Sequence, residues 1–293
     1  MKKLTLGFPL LVLVACSRPE PGAEGERSVI QNKGSDTLVN VAQAWAEAYK
    51  EVDSSTAVAV SGGGSGTGIS SMINGTVDIA NSSRKMKDSE IAQAKANGID
   101  PKEHTVGFDA LAVYIHPDNP ADTFTLQQLA GIYGDGGGVE KWSQLGIEVP
   151  GCRSDEIVIV SRQNNSGTYA YFQKAVLNKG DFRLGTRDMH GSKDVVDLVE
   201  NTPCAIGYSG LAYANEHVKL ACIATEEGGE CVNPSVATAA DGTYPIARPL
   251  FMYTAGEPVG AVKVYMDWIL SDPGQCIILD KGYAPVRTVT CGG

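Results

Sequence analysis

Short runs of β-branched and apolar residues alternate along this chain with stretches whose apolar positions fall at helical spacing. Residues 29–32, 57–61, 77–80, 111–115, 157–161, 205–208 and 249–253 read as strands. Leu38, Val41, Ala42, Trp45, Tyr49 and Val52 share one face of a helix. Thr125-Leu126-Gln127-Gln128 has capping-box spacing and opens a second helix. Residues 258–270 give a third, with Val259, Val262, Val264, Met266 and Ile269 apolar. Strands alternating with helices predict an α/β protein.

The N-terminus follows a different pattern. Lys2 and Lys3 precede an apolar run over residues 4–15, too short to span a bilayer. It ends in Leu13-Val14-Ala15-Cys16, which resembles the lipobox of bacterial lipoproteins. That resemblance implies cleavage after residue 15 and acyl chains on Cys16, with enough chains to make a stable anchor. Residues 16–27 carry Pro, Gly and charge without large apolar side chains, and read as a tether. The fold is expected to start at residue 28.

Composition narrows the function. The formal charge is −10, and loss of Lys2 and Lys3 makes the mature chain more negative still. Such a balance argues against binding nucleic acid through a basic footprint. Four histidines in no metalloprotease spacing give no metal site. Six cysteines remain beyond Cys16: Cys152, Cys204, Cys222, Cys231, Cys276 and Cys291. In an exported chain they favour three disulfides, among fifteen possible connectivities. Pairing neighbours gives Cys222 with Cys231 and Cys276 with Cys291, leaving Cys152 with Cys204; spacing alone does not decide it.

Three turns between a strand and a helix invite chemistry. They are Gly34-Ser35-Asp36-Thr37 before Leu38, the glycine loop over residues 61–68 that contains Ser65, and Arg162-Gln163-Asn164-Asn165-Ser166-Gly167-Thr168. Each sets hydroxyl or glycine residues at a helix N-terminus, where unpaired N–H groups and partial positive charge suit an oxyanion. Dinucleotide and P-loop motifs fail on spacing: Thr67 stands where a glycine is required, and the glycine loop has no lysine. A hydrolase elbow fails too, because Thr67 and Leu211 replace the closing glycine.

These stretches, together with Asp78-Ile79-Ala80-Asn81-Ser82-Ser83-Arg84, His116-Pro117-Asp118-Asn119-Pro120, residues 206–213 and Arg248-Pro249-Leu250-Phe251, resemble the phosphate-binding proteins of high-affinity ABC phosphate importers. The resemblance covers residues 29–286. It implies a type II periplasmic-binding-protein fold, with two α/β lobes, two crossing segments and the ligand in the cleft. Lobe one would be 28–108 plus 248–293, and lobe two 109–247. It implies inorganic phosphate as ligand, ABC permease subunits as partners, and a monomeric, lipid-anchored extracytoplasmic receptor with no cofactor and no catalysis. The implied ligand set is Ser35, Asp36, Thr37, Leu38, Ser65, Ser83, Arg84, Arg162, Ser166, Gly167 and Thr168. Many relatives carry, where this chain has Ser83 or Arg84, an aspartate that accepts the phosphate proton. Asp36 is then the best candidate acceptor, its other reading being a cap of the helix that opens at Leu38, with Asp109 or a main-chain group as the alternative acceptor. Arg84 is read as a second cation facing the ligand, the alternative being an interlobe salt bridge. The competing readings are a receptor for sulfate or molybdate, a phosphatase using Ser65 or Ser166, and a structural lipoprotein.

Overall fold

The computed structural model describes residues 28–292; the lipobox, Cys16 and the tether lie outside the described residues. The chain begins with β1 (Ser28–Gly34), a 3-10 turn (Asp36–Leu38) and α1 (Val39–Tyr49). It continues through β2 (Thr56–Ser61), α2 (Ser65–Ile73), β3 (Ile79–Ser82), α3 (Asp88–Ala96) and the long strand β4 (Lys102–Ile115). Next come β5 (Thr123–Thr125), α4 (Leu126–Tyr133), β6 (Val158–Arg162), α5 (Gly167–Ala175), β7 (Arg187–Met189) and α6 (Ser192–Glu200). The described chain closes with β8 (Ala205–Gly210), β9 (Lys219–Ala224), β10 (Cys231–Val232), α7 (Val236–Ala240), β11 (Ala247–Thr254), α8 (Gly260–Ile269) and α9 (Asp272–Asp280).

The main strand order is β2-β1-β3-β11-β4-β8-β6-β7. β1 is parallel to β2 and β3, whereas β11 runs antiparallel to both β3 and β4. β4 belongs to both ends of this arrangement. Residues 102–110 pair with β11, and residues 111–115 pair with β8. Residues 110–115 are all buried, as expected of a strand covered on both faces.

Two principal cores flank that handover. Trp45 and Tyr49 of α1 pack with Tyr265, Met266 and Ile269 of α8. Beyond it, Leu111, Val113 and Ile115 pack with Phe172, Tyr208 and Trp142. Indole N–H groups are satisfied in both: Trp45 Nε1 donates to the Gly274 carbonyl at 2.7 Å, and Trp142 Nε1 to that of Cys204 at 3.0 Å. The bridges are Cys152–Cys204, Cys222–Cys231 and Cys276–Cys291.

Several predicted boundaries move for identifiable reasons. β3 starts at Ile79; Asp78 before it donates its amide to the Gln31 carbonyl at 3.0 Å and accepts the Gln31 amide on its carboxylate at 2.7 Å. α1 stops at Tyr49, leaving Val52 exposed. α8 buries Tyr265, Met266 and Ile269 at helical spacing, so Val259 and Val264 face outward. Thr125 does cap α4, accepting the Gln128 amide at 3.0 Å.

Candidate functional site

The three turns converge where β1, α2 and α5 meet. Gly34 ends β1, and the Ser35 amide donates to the Asn81 carbonyl at 2.9 Å, fixing the first turn against β3. The Ser35 hydroxyl donates to Ser83 Oγ at 3.0 Å. The glycine loop is tied to the same turn twice: Gly64 N–H donates to the Gly34 carbonyl at 3.0 Å, and Gly63 N–H to Asp36 Oδ1 at 2.9 Å. Ser65 opens α2, and its Oγ accepts the Ser83 amide at 3.0 Å. Tyr283 donates to the Thr37 carbonyl and Tyr213 to that of Asp36, pinning the turn from outside. Burial pushes the Tyr213 phenol up to about 12, so it remains a donor at neutral pH.

The third turn faces the other two. Ser166 caps α5 by accepting the Thr168 amide at 3.1 Å. Asn165 binds the glycine loop from across the cleft, accepting from Gly66 N–H at 2.9 Å and donating to the Gly63 carbonyl at 3.0 Å. Thr37 and Thr168 hydroxyls lie 3.0 Å apart, so the two sides meet in a closed arrangement. Glycine is required at 167: a Cβ there would come within 2.3 Å of Ser65 Oγ and 2.5 Å of Ser83 Oγ. Gly64, at φ +89°, likewise has no room, with the Asn165 carbonyl 2.8 Å from its notional Cβ.

Two buried guanidiniums supply the charge. Arg162 ends β6; its Nη1 donates to Ser192 Oγ at 3.0 Å and its Nη2 to the His190 carbonyl at 2.7 Å. Asp36 Oδ2 stands 3.4 Å from the same Nη2. Burial draws the Arg162 pKa down and the Asp36 charge opposes that pull. Arg248, on β11, donates from Nε and Nη2 to Asp109 Oδ2 at 3.1 and 2.8 Å. Its Nη2 also reaches Thr37 Oγ1 at 3.3 Å, and its Nη1 the Ser83 carbonyl at 3.4 Å. Asp109 Oδ1 accepts the Leu211 amide at 3.2 Å. Burial pushes the Asp109 carboxyl up, against the opposing pull of Arg248.

Ser35, Asp36, Thr37, Ser65, Ser83, Arg162, Ser166, Gly167 and Thr168 are thus brought together, with Leu38 buried just inside the first turn. Arg84 departs from the expectation of a second cation facing the ligand. Its guanidinium forks onto Glu90 at 2.6 and 2.8 Å, because α3 presents that carboxylate beside it. The second buried guanidinium of the cluster is Arg248, paired with Asp109. Sequence reasoning left Arg248 out of the ligand set and kept Asp109 only as an alternative proton acceptor, although each is a lone charge in an apolar stretch on strands that become neighbours. Among the described residues no three His, Cys, Asp or Glu side chains gather as a metal site.

Residues 21–273 match the model of the PBP superfamily domain. Phosphate-binding protein PstS of Pseudomonas aeruginosa is 34% identical over 275 residues, covering 90% of this chain and 85% of that protein. PstS of Bacillus subtilis is 30% identical, covering 90% and 83%. The chain belongs to the phosphate-binding family of the PBP superfamily. Its fold agrees with solved members of that family. A phosphate ABC transporter substrate-binding protein from Clostridium perfringens, solved with bound phosphate, superposes with TM-score 0.77 at 27% identity, over 89% of this chain and 100% of that one. An ABC-type phosphate transport receptor from Vibrio cholerae gives 0.69 at 26% identity, over 87% and 99%. Both PstS relatives are named as binding proteins.

Proposed function

We propose that the protein captures inorganic phosphate between two lobes and delivers it to ABC permease subunits in the membrane. Lobe one would comprise 28–108 with 248–293, and lobe two 109–247. The observation that carries this reading is the meeting of donors from both lobes in one buried cluster, with Thr37 and Thr168 hydroxyls 3.0 Å apart. In it, Thr37, Leu38 and Ser65 of the first lobe and Arg162, Ser166, Gly167 and Thr168 of the second surround the anion. A ligand held from both sides favours closure, and release follows when the permease opens the lobes.

The magnitudes are compatible with an acidic receptor. Charges more than about 8 Å away are largely screened at physiological salt. Each hydrogen bond to a charged group contributes about 1.5–3 kcal/mol, and micromolar binding needs about 8 kcal/mol, so several such donors suffice after closure costs. Ser65 and Ser166 oxygens each accept an amide rather than facing a histidine or lysine, which speaks against a nucleophilic role. The receptor reading predicts one phosphate per chain by equilibrium dialysis and no turnover of p-nitrophenyl phosphate. Turnover lost in Ser65→Ala would support the enzyme instead.

We also propose, from the Leu13-Val14-Ala15-Cys16 stretch, that Cys16 is acylated and holds a monomeric receptor at the outer face of a membrane. Palmitate labelling that disappears in Cys16→Ser would support the anchor; unchanged labelling would refute it.

A further inference from the structure

A groove of about 610 Å³ lies beside the cradle, between the segment after β3 and the outer face of α5. Its inner end reaches Ser83 and Arg248, and its walls carry Arg84, Lys85 and Lys87 on one side and Lys174 and Lys179 on the other. Asp88 is the carboxylate that lines it. Such a concentration of cations is notable on a chain of net charge −10.

Half of these cations have local partners: Arg84 pairs with Glu90, Lys85 with Glu103 and Arg248 with Asp109. Among the described residues, Lys87, Lys174 and Lys179 form no ion pair and are exposed. Aromatic rings steady two of the paired ones, with Lys85 5.9 Å from the Phe251 centroid and Arg248 5.7 Å from that of Tyr171. Lys179 stands at φ +69°, directly after Asn178 at φ +50°. Lysine seldom adopts that left-handed conformation, and such residues cluster at ligand-binding positions.

The two walls come from different lobes and bear the same sign, so closing the lobes brings like charges together across the groove. A counter-anion long enough to touch both walls relieves that repulsion. From this we infer that the groove is a second anion site, for an anion with two or more linked phosphoryl groups, which bridges the lobes and stabilises their closed arrangement. At about 610 Å³ the groove has room for more than one tetrahedral group, and its cations stand on both walls. The groove and its cations stand on their own residues, whereas the bridging of two lobes and the coupling to phosphate rest on the receptor reading. By linkage, occupancy of either site then raises affinity at the other by the same factor.

Pyrophosphate is the probe. Calorimetric titration of pyrophosphate into the full chain, with and without saturating orthophosphate and at fixed ionic strength, should show one pyrophosphate per chain in both cases. Binding should be tighter with orthophosphate present. Lys87→Glu/Lys174→Glu should weaken pyrophosphate binding at least about tenfold, with orthophosphate affinity and melting temperature little changed. Lys87→Gln/Lys174→Gln should give a smaller loss in the same direction. Absence of pyrophosphate binding, equal binding to wild type and both variants, or competition between pyrophosphate and orthophosphate would overturn the inference. Pyrophosphate binding sensitive to Lys87 and Lys174 in a chain that takes no orthophosphate would support the groove while refuting the receptor reading.

Discussion

Thr37 Oγ1 and Thr168 Oγ1 lie 3.0 Å apart although 131 positions separate them in the chain. Both hydroxyls are buried, and each sits at the start of a helical segment. In the proposed receptor these two hydroxyls, from opposite walls, grip one tetrahedral anion. Thr37→Val keeps the shape and removes one donor. It should weaken phosphate binding about ten- to a hundredfold, as expected for a lost hydrogen bond to a charged group. Calorimetry checks this; binding within twofold of wild type would place the ligand elsewhere.

Arg162 carries a second test. Its guanidinium serves Ser192, His190 and Asp36, so its loss removes a buried positive charge and strands its acceptors, among them the buried Ser192 hydroxyl. Arg162→Ala should cost about 2–5 kcal/mol in binding, roughly 30- to several-thousand-fold. Arg162→Lys should recover only part, because one ammonium cannot reproduce the fork. Titration of both variants, with melting temperatures beside them, separates lost binding from lost folding. An alanine variant binding within threefold of wild type would contradict the proposed clamp.

The sequence carried the three turns clearly, because glycine and hydroxyl residues at a strand-to-helix junction leave a local signature. Arg248 leaves none of that kind. It reaches Thr37 from 211 positions away, and the seating of β11 between β3 and β4 brings it there. Burial of Trp142 is hidden for a similar reason: its surroundings are rich in glycine, while its partner carbonyl belongs to Cys204. By contrast α6 is legible in the sequence, since Val195, Val196 and Val199 have helical spacing and are buried. Arg84 shows the limit of resemblance. Its motif position suggests a ligand contact, yet Glu90, six residues on, takes its guanidinium.

Asp36 bears on selectivity. Phosphate near neutral pH keeps a proton that sulfate lacks, so a carboxylate facing the ligand accepts from one and repels the other. Asp36 Oδ1 holds Gly63 N–H at 2.9 Å, while Oδ2 has only the long 3.4 Å contact to Arg162. Asp36→Asn should therefore lower the phosphate-to-sulfate affinity ratio by at least about tenfold, or roughly 1.4 kcal/mol. An unchanged ratio in competition titrations would leave Asp36 as the tether of the glycine loop.

Glu90 predicts an acid limb in stability. Burial pulls its pKa up, but the Arg84 fork and the Lys87 amide outweigh it, so the net shift is downward. A carboxyl lowered in the folded state stabilises fully above its unfolded value of about 4.3, and that contribution drains away as pH falls through the folded value. Urea unfolding from pH 6 to pH 3 should show this loss in wild type and a shallower one in Glu90→Gln. Parallel curves would mean that the Arg84–Glu90 pair contributes no pH-dependent stability.

The most direct measurement is isothermal titration of the protein with phosphate, repeated in excess sulfate. The account predicts one site of micromolar or tighter affinity whose binding heat sulfate does not diminish. Absence of phosphate heat, or displacement of phosphate by sulfate at comparable concentration, would contradict it.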